Sequence, residues 1–449
     1  MKNENQNIIE KLNDWIAKSV MIKLMSTGFL ILILLIPTNM IQSLIDERAA
    51  LQQGVMQEIS SKWGGEQTIG GPLLSIPYKR YYQTKEETKI VVEMLHVLPE
   101  TLNVSGEIVP EERYRGIYKT IVHQSKLNFS GKFSKPNLED MGIEETDVHW
   151  KDAYVSIYIP DMSGIQNEVK LKWNNDLFEF NPGIKAYGVF SSGISTKAPV
   201  SNSDQTPFVE ADFDVDLTIN GSEFLNFIPI GKTTTVQLSS IWPTPQFDGR
   251  FLPDSREVTE DGFKAKWQVL DLNRNLPDVW TGSNQSMLES TFGVKLLVGV
   301  DHYQKSTRSA KYAVLTIFIT FIVFFFVEIL NKKRIHPFQY IMVGLALVIF
   351  YSLQLSLAEH IGFDLAYLIS SIAIVTLIGL YTLSLFKDSR LTVLLTACVA
   401  SVYGFLYVIL QLNDFSLLIG SFGLLAILAT VMYLSRNVNW YGTQSAQLQ

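Results

Sequence analysis

Apolar positions in this chain gather into six runs of about 20 residues, the length that crosses roughly 30 Å of hydrocarbon at 1.5 Å per residue. The runs are Val20–Leu44, Tyr312–Leu330, Phe338–Leu357, Leu365–Phe386, Leu391–Gln411 and Phe415–Leu434. The last five fill residues 312–434 with only short loops between them, which predicts antiparallel neighbours in one helical bundle. Any one run alone reads as well as a buried soluble core. Five in tandem do not.

The pattern changes between the first run and the second. Leu44, Leu51, Val55 and Ile59 fall near one helical face, so the first helix is expected to continue past the membrane until Gly64-Gly65 stops it. After that the period becomes two. The cleanest strand is Val209–Ile219, where Val209, Ala211, Phe213, Val215, Leu217 and Ile219 alternate with Glu210, Asp212, Asp214, Asp216 and Thr218. Asn220-Gly221 is the expected turn after it. Further strands are expected at Lys89–Leu98, Tyr118–Phe129, Ala153–Ile159, Val169–Trp173, Lys232–Ser240, Phe263–Val269 and Val294–Val300. Many short strands between Gly, Pro and Asn signals predict antiparallel, sandwich-like architecture, in one domain or in two divided near Thr196–Thr206.

The expected fold is therefore a polytopic α-helical membrane protein of six spans, with a large β-rich, sandwich-like external domain inserted between spans one and two. Residues 1–19 form an interfacial helix with Ile8, Ile9, Leu12, Trp15 and Ile16 on one face. Residues 20–44 are the first span, 45–311 the external domain, 312–434 the five-helix bundle and 435–449 a tail. No small-x-small site closely follows Ile36, so the first span is expected to stay as an anchor rather than be cleaved as a signal peptide.

Charge sets the orientation. Lys332, Lys333 and Arg334 follow span two, Lys387 and Arg390 follow span four, and Arg436 follows span six, with Lys2, Lys11, Lys18 and Lys23 at the N-terminus. The alternate loops, Ala358–Asp364 and Leu412–Asp414, hold acids and no Lys or Arg. Positive loops stay inside, so both termini are expected to be cytoplasmic and residues 45–311 translocated.

Composition agrees with this division. Of 449 residues 47% are hydrophobic and only 18% charged, with mean hydropathy +0.15, whereas soluble domains carry about a quarter charged residues. The formal net charge is −7, which offers no basic footprint for nucleic acid. The single cysteine, Cys398, cannot make an internal disulfide and is expected to pack within span five.

Candidate chemistry is sparse. Glu210, Asp212, Asp214 and Asp216 read as a solvated strand face with cross-strand lysine partners, the rival being a calcium site, although a straight strand spreads such ligands apart. Glu144, Glu145, Asp147 and His149 offer a weaker metal alternative. No nucleophile elbow, phosphate loop or zinc-binding histidine pair occurs, so no cofactor, metal or catalytic residue is expected. Charge inside the membrane is the better functional signal. Glu328 lies one turn from the inner surface, four residues before Lys332, which is its expected partner. Gln354, mid-span, is placed to bond another helix. Glu359, His360 and Asp364 form an outer loop expected to pair with Arg308 or Lys311, in docking or as a ligand site.

Several longer runs resemble the CreD family of bacterial inner-membrane proteins, associated with cell-envelope integrity. They include Ile45-Asp46-Glu47-Arg48, Gly70 to Pro77 (GGPLLSIP), Arg115-Gly116-Ile117-Tyr118 and Phe251 to Pro277 (FLPDSREVTEDGFKAKWQVLDLNRNLP). They continue through Ser290 to Ala313, Ile335 to Tyr367 (IHPFQYIMVGLALVIFYSLQLSLAEHIGFDLAY) and Ser435 to Tyr441 (SRNVNWY). Gly299 and Asn439 depart from residues common in that family. Within these runs, Pro337 suits the first turn of a helix, Trp440 and Tyr441 suit an interfacial anchor, and Gly70-Gly71-Pro72 is expected to reverse the chain. The resemblance implies a periplasmic location for residues 45–311 and carries over no catalytic residue. The expected function is non-catalytic support of envelope integrity and stress tolerance. Its expected partners are the lipid bilayer and other envelope proteins or cell-wall components. The rival is a transporter or lipid-handling protein whose route runs through the bundle.

Overall fold

Two glycines end the first helix where the pattern requires. Helix α1, Val20–Trp63, runs without a break through Pro37, and the amides of Gly64 and Gly65 both donate to the Ser60 carbonyl, with Gly65 left-handed at φ 55°. The computed structural model describes residues 20–83, 87–186, 188–198, 200, 208, 210–282, 287–296, 302–331, 333–412, 415–436 and 438. The expected interfacial helix over residues 1–19, the anchor at Trp440 and Tyr441, and most of the Thr196–Thr206 boundary lie outside the described residues.

The chain divides into two compact units, one of residues 1–52 and 300–449 and the other of residues 53–299. The helical unit contains the first part of α1 and then α2 (His302–Lys311), α3 (Ala313–Leu330), α4 (Pro337–Ile361), α5 (Phe363–Phe386), α6 (Ser389–Gln411) and α7 (Ser416–Ser435). Among the described residues six stretches are long and apolar enough to cross a membrane, with α2 and α3 together forming His302–Leu330. Pro337 occupies the first turn of α4, where a missing amide hydrogen has no partner to lose. The expected loop at Ala358–Asp364 contracts to Gly362 alone, whose φ of 83° turns the chain directly from α4 into α5.

The second unit is built from two sheets. One has nine strands around Gln67–Gln83, which pairs with Thr88–Val97 and Tyr154–Tyr158 antiparallel and with Phe224–Phe227 parallel. The other has eight strands. Their order is Ser255–Thr259, Gly262–Leu270, Thr233–Ser240, Thr101–Arg115, Tyr118–Ser134, Glu210–Ser222, Lys170–Trp173 and Asp176–Glu179. Thr233–Ser240 and Thr101–Arg115 run parallel; every other pairing in that sheet is antiparallel. Alternate residues of each sheet meet in a shared apolar core. Phe129 packs on Phe227 at 6.4 Å and Trp267 on Phe292 at 5.8 Å, each pair joining one sheet to the other.

Two expected reversals are not reversals. Asn220-Gly221 lies inside the strand Glu210–Ser222, with Gly221 opposite His123 of the neighbouring strand. A Cβ on Gly221 would stand 2.6 Å from the His123 ring, so this glycine admits a buried histidine and makes no turn. Gly70-Gly71-Pro72 likewise sits within Gln67–Gln83, at a register shift between Gly70 and Leu73 and with a cis Gly71–Pro72 bond. Proline is tolerated at such an irregularity, and close approach by Ile228 and Ile157 excludes side chains at the two glycines.

Candidate functional site

The candidates are Glu328 and Gln354 within apolar runs and Glu359, His360 and Asp364 of an expected outer loop, and the structure brings four of these five onto specific partners. Glu328, near the end of α3, is 3% exposed. Its Oε1 accepts from the Lys23 ammonium at 2.6 Å and its Oε2 from the Tyr340 hydroxyl at 3.0 Å. The partner expected four residues on, Lys332, lies outside the described residues; among the described residues α1 and α4 supply the bonds. A carboxylate held this way is a cross-link among three helices.

Gln354 of α4 is fully buried and donates through Nε2 to Ser306 Oγ of α2 at 3.1 Å, while its Oε1 has no partner among the described residues. Glu359 accepts from the Tyr303 hydroxyl at 2.8 Å. Asp364 accepts from Gln411 and, at 3.3 Å, from the Tyr407 hydroxyl, with the Lys305 ammonium 3.8 Å away. The expected pairing of this region with Arg308 or Lys311 is therefore corrected. Tyr303 and Lys305 face it, and Arg308 donates to the carbonyls of Ile409 and Leu412, filling acceptors left open at the end of α6. His360 is exposed and shares no hydrogen bond with the other four.

Sequence reasoning missed the aromatic centre of the helical unit. Phe350 packs against Tyr351 at 4.8 Å, Tyr367 at 5.3 Å and Tyr403 at 4.5 Å. Tyr351 shares a hydrogen bond with Thr316, and Tyr367 donates to the Tyr403 carbonyl at 2.8 Å. Each tyrosine sits in an otherwise apolar run, so its only signal is a hydroxyl deep within a span.

The eight-stranded sheet turns its other face away from the core. Its register aligns Ser255, Lys266, Gln237, Ser105, Asn128 and Asp216 in one row across six strands. A second row holds Glu257, Lys264, Ser239, Glu107, Lys126 and Thr218. These two rows line a concavity of about 1000 Å³. The acidic strand at its edge has partners of two kinds. Glu210 pairs with Lys132, while Asn128 donates to Asp216 at 3.0 Å and to Asp214 at 3.3 Å. Among the described residues no group of three His, Cys, Asp or Glu side chains is arranged to hold a metal. In the acidic loop, Lys135 pairs with Glu145 and Tyr81 donates to Asp147 at 2.8 Å.

Two histidines of this unit are buried and neutral. His96 shares a hydrogen bond with Ser75 Oγ at 2.9 Å and packs on Trp280; His123 bonds Ser125 Oγ at 2.9 Å and the Phe224 carbonyl at 3.3 Å. Burial pulls each imidazole down to about 4. His123 donates from Nε2 to the carbonyl and accepts at Nδ1 from the serine, which satisfies a neutral ring. Both groups act as core polar contacts.

Six spans, a helical unit whose buried polar residues bond across helices, and a two-sheet insert between the first and second spans define a polytopic membrane protein with a large extramembranous domain. Residues 19–441 match the family described as inner membrane protein CreD. The chain is 33% identical over 417 residues to the inner membrane protein CreD of Escherichia coli (strain K12), covering 92% of this chain and 91% of that relative. This chain belongs to the CreD family of inner membrane proteins.

Proposed function

We propose that this protein is a non-catalytic scaffold of the inner membrane that supports envelope integrity and stress tolerance. In this reading both termini are cytoplasmic, and residues 45–311 stand in the periplasm as one contact module. The observation that carries it is the polar concavity of the eight-stranded sheet. There Lys126, Lys264 and Lys266 share the face with Glu107, Asp216 and Glu257 and with Ser, Thr, Asn and Gln side chains, and the three lysines form no ion pair among the described residues. Such a face suits hydrated envelope polymers or proteins. It offers no deep apolar pocket for a small substrate. The helical unit favours the same reading over ion-coupled transport. Glu328, Gln354 and Glu359 are each engaged by another helix, and a coupling carboxylate has to exchange its partner for the ion.

The test combines location with function. In a Cys398→Ser background, Asp212→Cys is expected to react with a membrane-impermeant thiol reagent in intact cells, and Lys333→Cys only after lysis. Charge reversal at Lys126, Lys264 and Lys266 is expected to abolish envelope-stress tolerance at normal abundance, whereas Gln354→Ala and Glu359→Ala retain it. The opposite pattern would transfer the function to the bundle.

A further inference from the structure

Helices α5 and α6 are antiparallel neighbours bridged by side chains at both ends, by Tyr367, Tyr407 and Gln411 near Asp364 and by Thr396 against Gly379. Near their connecting turn at Lys387, a Cβ added to Gly379 would stand 3.0 Å from Thr396 Oγ1, so the two backbones are close. Between those bridges Ser371, Ala400 and Gly404 are small, and a Cβ on Gly404 would meet nothing within 4 Å. The helices therefore leave a cleft of about 580 Å³ between them. It reaches from Asp364 to Thr376, about 18 Å at 1.5 Å per residue, and Leu368, Ile372 and Val375 make its wall apolar.

Two features separate this cleft from an ordinary lipid-facing surface. Two of its lining residues carry hydroxyls with no hydrogen-bond partner among the described residues, Ser371 and the fully buried Tyr403. Unpaired hydroxyls are costly in hydrocarbon, and helical serines ordinarily bond a carbonyl of the preceding turn. The mouth is also charged with both signs. Asp364 is exposed, and the hydrogen bonds it accepts reach Oδ1, leaving Oδ2 open; Lys305 lies beside it and donates to Gln411 at 3.1 Å. A carboxylate at the lip of an apolar slot, with an ammonium 3.8 Å from it, complements a headgroup bearing an amine and a phosphate.

We propose that the cleft between α5 and α6 binds one amine-bearing zwitterionic phospholipid. Its ammonium donates to Asp364 Oδ2, its phosphate faces Lys305, and one acyl chain lies between the helices. An anionic lipid without an amine has no ammonium for Asp364, and a choline headgroup has no N–H to donate. The site rests on the helical unit alone and stands whether or not the sheet face is a contact module.

The test uses the full chain in nanodiscs holding equal parts of phosphatidylethanolamine, phosphatidylcholine and phosphatidylglycerol, followed by native mass spectrometry. The wild type is expected to retain one phosphatidylethanolamine. Gly404→Leu, whose Cβ would meet nothing within 4 Å, puts a side chain into the cleft and is expected to lose that lipid while melting at or above the wild-type temperature. Asp364→Asn, which keeps a side-chain oxygen for the bonds from Gln411 and Tyr407, is expected to lower the preference for phosphatidylethanolamine over phosphatidylcholine about tenfold, the worth of one charge-assisted bond. Equal retention of the three lipids by the wild type would overturn the proposal. So would undiminished phosphatidylethanolamine on Gly404→Leu, or an unchanged preference in Asp364→Asn.

Discussion

The ammonium of Lys23 donates to the carboxylate of Glu328 at 2.6 Å, and Tyr340 holds the second oxygen of the same carboxylate. Removing the lysine alone leaves a buried, uncompensated charge. Lys23→Met is therefore expected to destabilise the solubilised protein by about 3–5 kcal/mol. The double variant Lys23→Met/Glu328→Leu, which removes both charges, is expected to recover most of that loss. Thermal unfolding of the three proteins in one detergent measures the difference.

Gln354 offers a contrasting case. Its amide makes one bond to Ser306 and leaves its own oxygen unpaired in a fully buried place. Gln354→Met keeps the volume and removes the orphaned oxygen, so stability is expected to change by less than about 1 kcal/mol. Gln354→Ala opens a cavity and is expected to cost about 2–4 kcal/mol. Melting curves of the pair separate packing from hydrogen bonding.

Acid is expected to weaken the β-rich unit through His96 and His123. Both imidazoles sit near 4 in the folded protein, against about 6.5 in the unfolded chain. Between those values the unfolded state binds more protons, so stability falls as pH drops from about 6.5 toward 4 and is complete above that window. Each histidine contributes about 3 kcal/mol across it. Urea unfolding of the whole protein at pH 7 and pH 5 reads the slope, and His96→Gln is expected to make it shallower.

Gly221→Ala tests the strand that replaces the expected turn. The added methyl group would press on the His123 ring from 2.6 Å, in a core with no slack. A loss of about 1–3 kcal/mol is expected. A turn glycine free of its neighbours would show no such penalty on urea unfolding.

The six spans were legible because length and hydropathy suffice to mark them, and the strand Glu210–Ser222 because one of its faces is water and the other is core. Strands without that asymmetry escaped. Gln67–Gln83 is buried on both faces over most of its first half, so its alternation is lost and its glycines and prolines imitate punctuation. Thr101–Arg115 keeps Leu102, Val104 and Ile108 inward, but the position between them is Gly106, where a Cβ would strike Leu127 at 2.5 Å. The site residues were legible only as isolated polar letters in apolar text. Their partners Lys23, Ser306, Tyr303 and Lys305 lie far along the chain, and no local spacing announces them.

The tie between Lys23 and Glu328 has a consequence for biosynthesis. The two residues lie 305 positions apart, so at about 5–20 residues per second the ribosome needs roughly 15–60 s to deliver the acid after the base. For that interval Lys23 of the newborn N-terminal helix has no Glu328 to neutralise it. That cation is free to hold the nascent chain's orientation until α3 arrives and neutralises it.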